Sequence, residues 1–289
     1  MNQQNPTHHP INSAIQPNQP AKRIVCLTAT GIDILAELNL EPIGYLAKGI
    51  ANRIEFYGDR AANFAKVGSW MVPNIQLIRK LKPDLIIGWT FPHRFYLPWL
   101  QRICPVYLLG GCGYEMAAKH LRHIGDFTGC SEAAEIAILR LNKQIEIYQK
   151  TIINNQKKTV LMMGGSLLSL LSGRYIVETN AGTIGSVIQK MTNYPWREPA
   201  INKGEIGFIN LSIEQILQVN PDVIFIQTYG LNQTSISQRL DRHRHWRQLK
   251  AFKQQQIYDV EQFWHWGNGT RTIGLTLDRL MLKIYPELF

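Results

Sequence analysis

Residues 131–153 limit the possible architectures of this chain more than any other stretch. Apolar residues fall at Ala134, Ile138, Leu141, Ile145, Tyr148 and Ile152, in alternating steps of four and three that draw one stripe along a helix. Glu135, Arg140, Lys143, Glu146 and Lys150 make the opposite face polar. Ser131 reads as the N-cap and Glu132 lies in the first turn, where a carboxylate is favoured. A helix of that length runs about 34 Å. This is long for a crossover inside one α/β lobe and suits a strut lying across two.

The two sides of the strut echo each other. Residues 75–90 read IQLIRKLKPDLIIGWT and residues 213–228 read IEQILQVNPDVIFIQT. Each is an amphipathic helix, a Pro-Asp turn and an apolar run short enough for a buried parallel strand. The expected fold is therefore α/β, with two doubly wound, Rossmann-like lobes joined by one long rigid helix. The expected boundaries are a disordered tail at 1–21, an N-terminal lobe at 22–130, the connecting helix at 131–157 and a C-terminal lobe at 158–289. The tail is rich in Asn, Gln and Pro and has no charged side chain before Lys22. Strands are expected at 23–27, 42–46, 84–88, 105–109, 159–163, 222–227 and 256–260, in parallel sheets. Helices are expected near 32–39, 74–81, 95–103, 114–128, 182–191, 212–219, 236–248 and 268–284.

Composition excludes little: 45% hydrophobic and 18% charged residues are those of a globular chain, and no apolar run approaches the ~20 residues of a membrane helix. The net charge of +10 fits an anionic ligand, an anionic surface or nucleic acid without choosing among them. Cys26 lies in a probable strand and reads as a packing residue; the four cysteines show no metal-type spacing. No G-x-G-x-x-G follows a strand, and neither a P-loop nor a G-x-S-x-G elbow is present. The segment RLDRHRHWRQLK carries His243 and His245 among five cations and reads as a solvated helix face rather than a metal pair. No nucleic-acid-binding module surrounds it.

Ligands of open parallel sheets sit beyond the carboxyl ends of the strands. The loops at those ends carry rings: Trp70, Trp89, Tyr229 and Trp264, with Trp266 beside the last. Several rings at strand ends in both halves point to an aromatic-lined cleft. Arg94, Arg174 and Arg271 stand near them, and an arginine fork in a cleft would grip an oxygen-rich anion.

The order RIVCLTATGIDILAELNL, VGSWMVPNIQLIRKLKPDLIIGW, a mid-chain helix, NLSIEQILQVNPDVIFI and WRQLKAFKQQQIYDVEQFWHWGNGTRTIGLTLDRL resembles the iron-siderophore and cobalamin type of periplasmic substrate-binding protein of ABC importers. The resemblance covers about residues 22–287. It implies a ligand cleft between the lobes, no catalysis, no resident cofactor or metal, a monomer, and a membrane permease as partner. Trp70, Trp89 and Trp264 fall where the cobalamin-binding member contacts its ligand, and Arg94 and Arg174 lie near arginines used by siderophore binders. Basic charge and the arginines favour a ferric siderophore; cobalamin or another corrinoid is the alternative within the class, and an intracellular enzyme or sensor reusing the fold is the alternative outside it. Family members dock on permease arginines through one glutamate per lobe. Glu214 matches the C-lobe position, whereas Gln76 stands at the N-lobe one. The resemblance implies a periplasmic or cell-surface location, but residues 1–21 lack the basic start and apolar core of a secretory signal, so a cytoplasmic location stays open.

Overall fold

The structure is a computed structural model that describes residues 19–47, 49–152, 156–165, 172–202, 206–228, 236–260 and 268–289. It divides into two compact units, Met1–Gly110 with Ala118–Ile138, and Gly111–Ala117 with Leu139–Phe289. The division falls inside the helix Ser131–Ile152, which forms as its periodicity predicts: Ala134, Ile138, Leu141, Ile145 and Ile152 are buried. Ser131 is the first helical residue rather than the cap, and its hydroxyl donates to Asp126 Oδ1 at 2.7 Å. The preceding helix, Tyr114–Thr128, packs closely on the start of this one. A Cβ at Gly125 would stand 2.9 Å from that of Ala134.

The first unit holds a five-stranded sheet of β1 (Ile24–Cys26), β2 (Gly44–Tyr45), β3 (Ala65–Lys66), β4 (Leu85–Trp89) and β5 (Val106–Leu109) in the order β3-β2-β1-β4-β5. Every pairing is parallel, as expected. The central strands are near-continuous runs of buried Ile, Val and Leu, which suits a sheet covered on both faces. Cys26 is buried and free, and burial pushes its thiol up to about 12, so it packs rather than reacts.

The second unit holds β6 (Val160–Gly165), β7 (Arg174–Glu178), β8 (Phe208–Ser212), β9 (Val223–Thr228) and β10 (Ile257–Val260) in the order β10-β9-β6-β7-β8. Here the expectation of a wholly parallel sheet is corrected. β6, β9 and β10 are parallel, but β7 runs antiparallel to both β6 and β8. The run Tyr175-Ile176-Val177 after Gly173 carried the strand signal, and β8 lies directly before the helix expected at 212–219, where no strand was expected. Three expected helices are also shorter. Residues 95–103 form two brief turns, Arg94–Tyr96 and Leu97–Leu100, because Pro98 permits only a first helical turn. Residues 182–191 contain only Gly185–Ile188 as α-helix, and 236–248 break after Leu240 into exposed turns bearing Arg242, His243, Arg244 and His245.

The internal repeat has a shared physical basis. The helices Ile75–Leu81 and Ile213–Val219 are capped by Asn74 and Ser212, whose side chains accept from Leu77 N and Gln215 N. Each ends on a left-handed residue, Lys82 (φ 47°) or Asn220 (φ 51°), immediately before Pro83 or Pro221. The following aspartate then clamps the start of the neighbouring strand. Asp84 N donates to Arg23 O (3.0 Å) while its carboxylate accepts from Arg23 N and Lys22 N (both 2.8 Å). Asp222 N donates to Thr159 O (2.8 Å) while its carboxylate accepts from Thr159 N (2.7 Å).

The opposite, carboxyl ends of β4 and β5 are held by buried histidines. His93 Nδ1 accepts from the N–H of Trp89, the last residue of β4, at 2.9 Å. His120 Nε2 donates to the carbonyl of Gly110, just past β5, at 2.8 Å, leaving Nδ1 to accept from Tyr107 O–H at 2.8 Å. His123 Nδ1 lies 2.9 Å from the same phenol oxygen and donates to it. Burial lowers both His93 and His120 to about 4.

Two outcomes follow. Asp84→Ala and Asp222→Ala should each lower the stability of their own unit by about 1–3 kcal/mol, because each leaves strand-end amides without a charged acceptor; denaturant unfolding combined with hydrogen exchange of β1 or β6 measures it, and no loss in either variant would refute the clamp. Acid should weaken the first unit. Unfolded histidine binds a proton near pH 6.5 and these folded rings only near 4, so their contribution is complete above pH 6.5 and is lost as pH falls toward 4, by up to roughly 3 kcal/mol per ring. Rate-corrected hydrogen-exchange protection in β4 and β5 that stays flat from pH 7 to 4.5 would contradict this.

Candidate functional site

In the first unit the expected residues converge at the carboxyl ends of β3 and β4. After β3 the chain makes a tight hairpin in which Gly68 bridges Pro73, Ser69 N donates to Val72 O (3.0 Å) and Val72 N to Ser69 Oγ (3.1 Å). Gly68 has φ +107°, and a Cβ there would stand 2.5 Å from Val72 O, so this turn requires glycine. The hairpin lifts Trp70 and Met71 into exposure at its tip. After β4 the chain turns through Thr90, whose hydroxyl donates to Leu109 O (2.7 Å), and through a cis Phe91–Pro92 peptide. His93 is fully buried beneath this turn, among the backbones of Trp70 and Trp89.

These two turns bring three exposed rings into contact. Trp70 and Phe91 meet edge to face with centroids 6.2 Å apart, and Phe91 and Phe95 do the same at 6.0 Å. They remain 43%, 52% and 62% exposed, far more than large aromatic residues usually are in an uncommitted surface. Tyr96 O–H ties the second turn to the first by donating to Met71 O at 3.0 Å, and its ring leans on exposed Trp99. Trp89 is half-buried at the end of β4, and Arg94 is exposed between His93 and Phe95. Over 67–74 and 89–100 Arg94 is the only charged side chain apart from the neutral His93. Phe91, Phe95 and Trp99 were not singled out from sequence. The signal was available, since the run WTFPHRFYLPW after a strand holds five rings in eleven residues besides its histidine.

In the second unit only Arg174 and Arg271 of the expected ligand residues lie among the described residues. Met163 pairs with Val177 and Gly164 with Ile176, so Arg174 lies just past the carboxyl end of β6, exposed and in register with Ser212. That register sets it beside the start of the helix bearing Glu214. Glu214 and Gln76 are both exposed and both second in their helices, the same place in the repeat. The hydrogen bond to Ser212, then its own backbone amide, holds the Glu214 carboxyl below the usual range, with His245 adding to the effect. Arg271 is half-buried in the first turn of the helix Thr270–Ile284, preceded by Asn268, which accepts from Thr183 Oγ1 at 2.9 Å. Tyr229 and Trp264 lie outside the described residues, as do His265 and Trp266. Among the described residues no three His, Cys, Asp or Glu side chains converge as a metal site, and no helix is long and apolar enough to cross a membrane.

Known proteins resemble this chain over nearly its whole length. It is 24% identical to the putative ABC transporter substrate-binding lipoprotein YhfQ of Bacillus subtilis, covering 96% of this chain and 87% of that one. It is 28% identical to the Fe(3+) dicitrate-binding periplasmic protein FecB of Escherichia coli, covering 83% and 77%. The solved structure of the triscatecholate siderophore binding protein FeuA from Bacillus subtilis, complexed with ferri-bacillibactin, shares the fold with a TM-score of 0.76 at 17% identity, covering 94% and 95%. Residues 24–262 match the family model described as periplasmic binding protein. With two α/β units, an exposed aromatic edge and that match in hand, the chain belongs to the periplasmic binding proteins, the substrate-binding partners of ABC importers.

Proposed function

We propose that this protein binds a ferric siderophore and delivers it to the permease of an ABC importer. The observation that carries the reading is the exposed Trp70–Phe91–Phe95 group at the carboxyl edge of a parallel sheet, where ligands of such sheets bind. A ring surface that stays in water gains by burying itself on a ligand, and neighbouring Arg94 offers a charge-assisted bond to an anionic chelate. Trp89, Arg174, Tyr229, Trp264 and Arg271 complete the proposed ligand set. The iron is cargo held by the chelator, so the protein needs no resident cofactor or metal, acts as a monomer and catalyses no reaction. FecB, named for a ferric chelate, and the siderophore complex of FeuA support the ligand class; the lipoprotein YhfQ and periplasmic FecB support an exported location. A corrinoid is the second reading, favoured by Trp70 and Trp89 as apolar walls.

Permease docking rests on Glu214. Its carboxyl is exposed and stays ionised at neutral pH, as a partner arginine requires, whereas Gln76 offers no charge at the equivalent place.

Binding of a ferric siderophore should quench tryptophan emission, and Arg94→Ala should weaken an anionic chelate by ~1.5–3 kcal/mol, roughly 10-fold to 150-fold in Kd. Arg174→Ala separates two roles: lower chelate affinity assigns it to the ligand, and impaired transport at full affinity assigns it to docking. If no ferric chelate alters the emission, the reading fails. Glu214→Ala should cut uptake several-fold at unchanged ligand affinity, while Gln76→Glu should leave uptake equal or higher; a parallel fall in ligand affinity in the Glu214 variant would remove it from the docking surface.

A further inference from the structure

The three exposed rings do not lie in one plane. Trp70 and Phe91 stand at 70° to each other, and Phe91 and Phe95 at 88°. Successive edge-to-face contacts therefore build a stepped corner, with ring faces turned in nearly perpendicular directions. A flat macrocycle can lie on only one such face at a time. An octahedral ferric ion held by three planar bidentate arms is shaped differently, because its arms occupy planes that are themselves close to perpendicular. If those arms are aryl rings, one can stack on a face of the corner while the next meets a ring edge, the two arrangements aromatic pairs prefer.

Charge points the same way. The turns that build the corner contain no carboxylate and a single cation, Arg94, since His93 is buried and neutral. A chelate whose surface is carboxylate and hydroxyl, as in ferric citrate, would have to desolvate many such groups against three rings, with Arg94 the single charged partner these turns supply. An aryl chelate presents apolar faces to the rings and keeps its negative oxygens near the iron, within the field of Arg94. The corner is also held firmly. Tyr96 O–H is bonded to Met71 O, the Gly68 position admits no side chain, and His93 anchors the Trp89 amide, so the backbones that carry the rings are held in place before any ligand arrives.

We propose that the Trp70–Phe91–Phe95 corner makes this protein selective for ferric chelates with three aryl bidentate arms, of the catecholate kind, over carboxylate chelates, aliphatic hydroxamate chelates and flat macrocycles. The inference rests on the proposed ligand class and specifies its chemistry. Phe91 and Phe95 are the specificity-determining residues, through their ring faces rather than their bulk.

Isothermal titration calorimetry with four probes tests it: the ferric complex of a tripodal tris(2,3-dihydroxybenzamide), that of a tripodal trihydroxamate, ferric citrate and cyanocobalamin. The full chain should bind the aryl chelate at least tenfold more tightly than the others. Phe91→Leu and Phe95→Leu, which keep apolar bulk and remove the ring, should each weaken the aryl chelate by about tenfold and change the trihydroxamate less than twofold. Both positions are more than half exposed, so the variants should fold, and circular dichroism verifies it. Equal losses for aryl and hydroxamate chelates, undiminished aryl affinity in both variants, or a preference for citrate or trihydroxamate would overturn the aryl selectivity while leaving iron-chelate binding intact. Binding of cyanocobalamin alone, or of none of the four, would overturn the siderophore reading together with it.

Discussion

The reciprocal bonds between Asp84 and Arg23, and between Asp222 and Thr159, set the register on which both sheets depend. A parallel ladder has no hairpin to align its strands, so something else must choose among shifts of one residue, each of which would turn the buried side chains to the wrong face. In each unit that choice is made at one point. An α-helix ends in a left-handed residue, a proline stops it, and an aspartate seizes the amide that opens the adjacent strand. Ile24 then pairs with Leu85, and Val160 with Val223. The aspartates thus act at the amino end of the sheets, and what they align emerges at the carboxyl end.

At that end the first unit uses neutral histidines. His93 accepts from the Trp89 amide, and His120 donates to the Gly110 carbonyl while accepting from Tyr107, which makes both rings effective fasteners for chain leaving a strand. Burial keeps them uncharged, and the surface above them consequently presents rings with little charge. The second unit differs at its β7–β8 side. Its exposed groups there include Arg174 and Glu214, with His245 influencing the latter, beside Phe208 and Asn210 of β8. The two halves of the repeat share a scaffold but put different chemistry on it: Gln76 and Glu214 occupy one structural position, the first without and the second with charge, and β7 and β8 replace parallel pairing by antiparallel pairing.

The connecting helix, the helix–Pro-Asp–strand repeat, four of the five parallel strands of the first unit and the α/β class were legible in the residues, because each is written in local periodicity: steps of three and four for the helix, short apolar runs for buried strands, proline and aspartate for the turn; the two-residue β3 is too short to leave such a pattern. Trp70, Trp89 and Arg94 were legible as strand-end residues for the same reason. What local pattern could not convey was direction and contact. β7 carries an ordinary strand signal, but whether it runs with or against β6 depends on how the chain returns to the sheet. Cross-strand register sets Arg174 beside Ser212 and the start of the Glu214 helix, a neighbourhood that spacing along the chain does not show. Phe91 and Phe95 are four residues apart in a segment with no clear period, and only the folding of two separate turns against each other brings Trp70 to them at a perpendicular angle. By itself the sequence determined the connecting helix, the two halves of the repeat, most of the buried parallel strands and the residue types at their ends, since those follow from interactions between near neighbours. Tertiary structure alone decided strand direction, the company Arg174 keeps and the angles of the aromatic corner, because those depend on contacts between residues distant in the chain, whose geometry no local periodicity encodes.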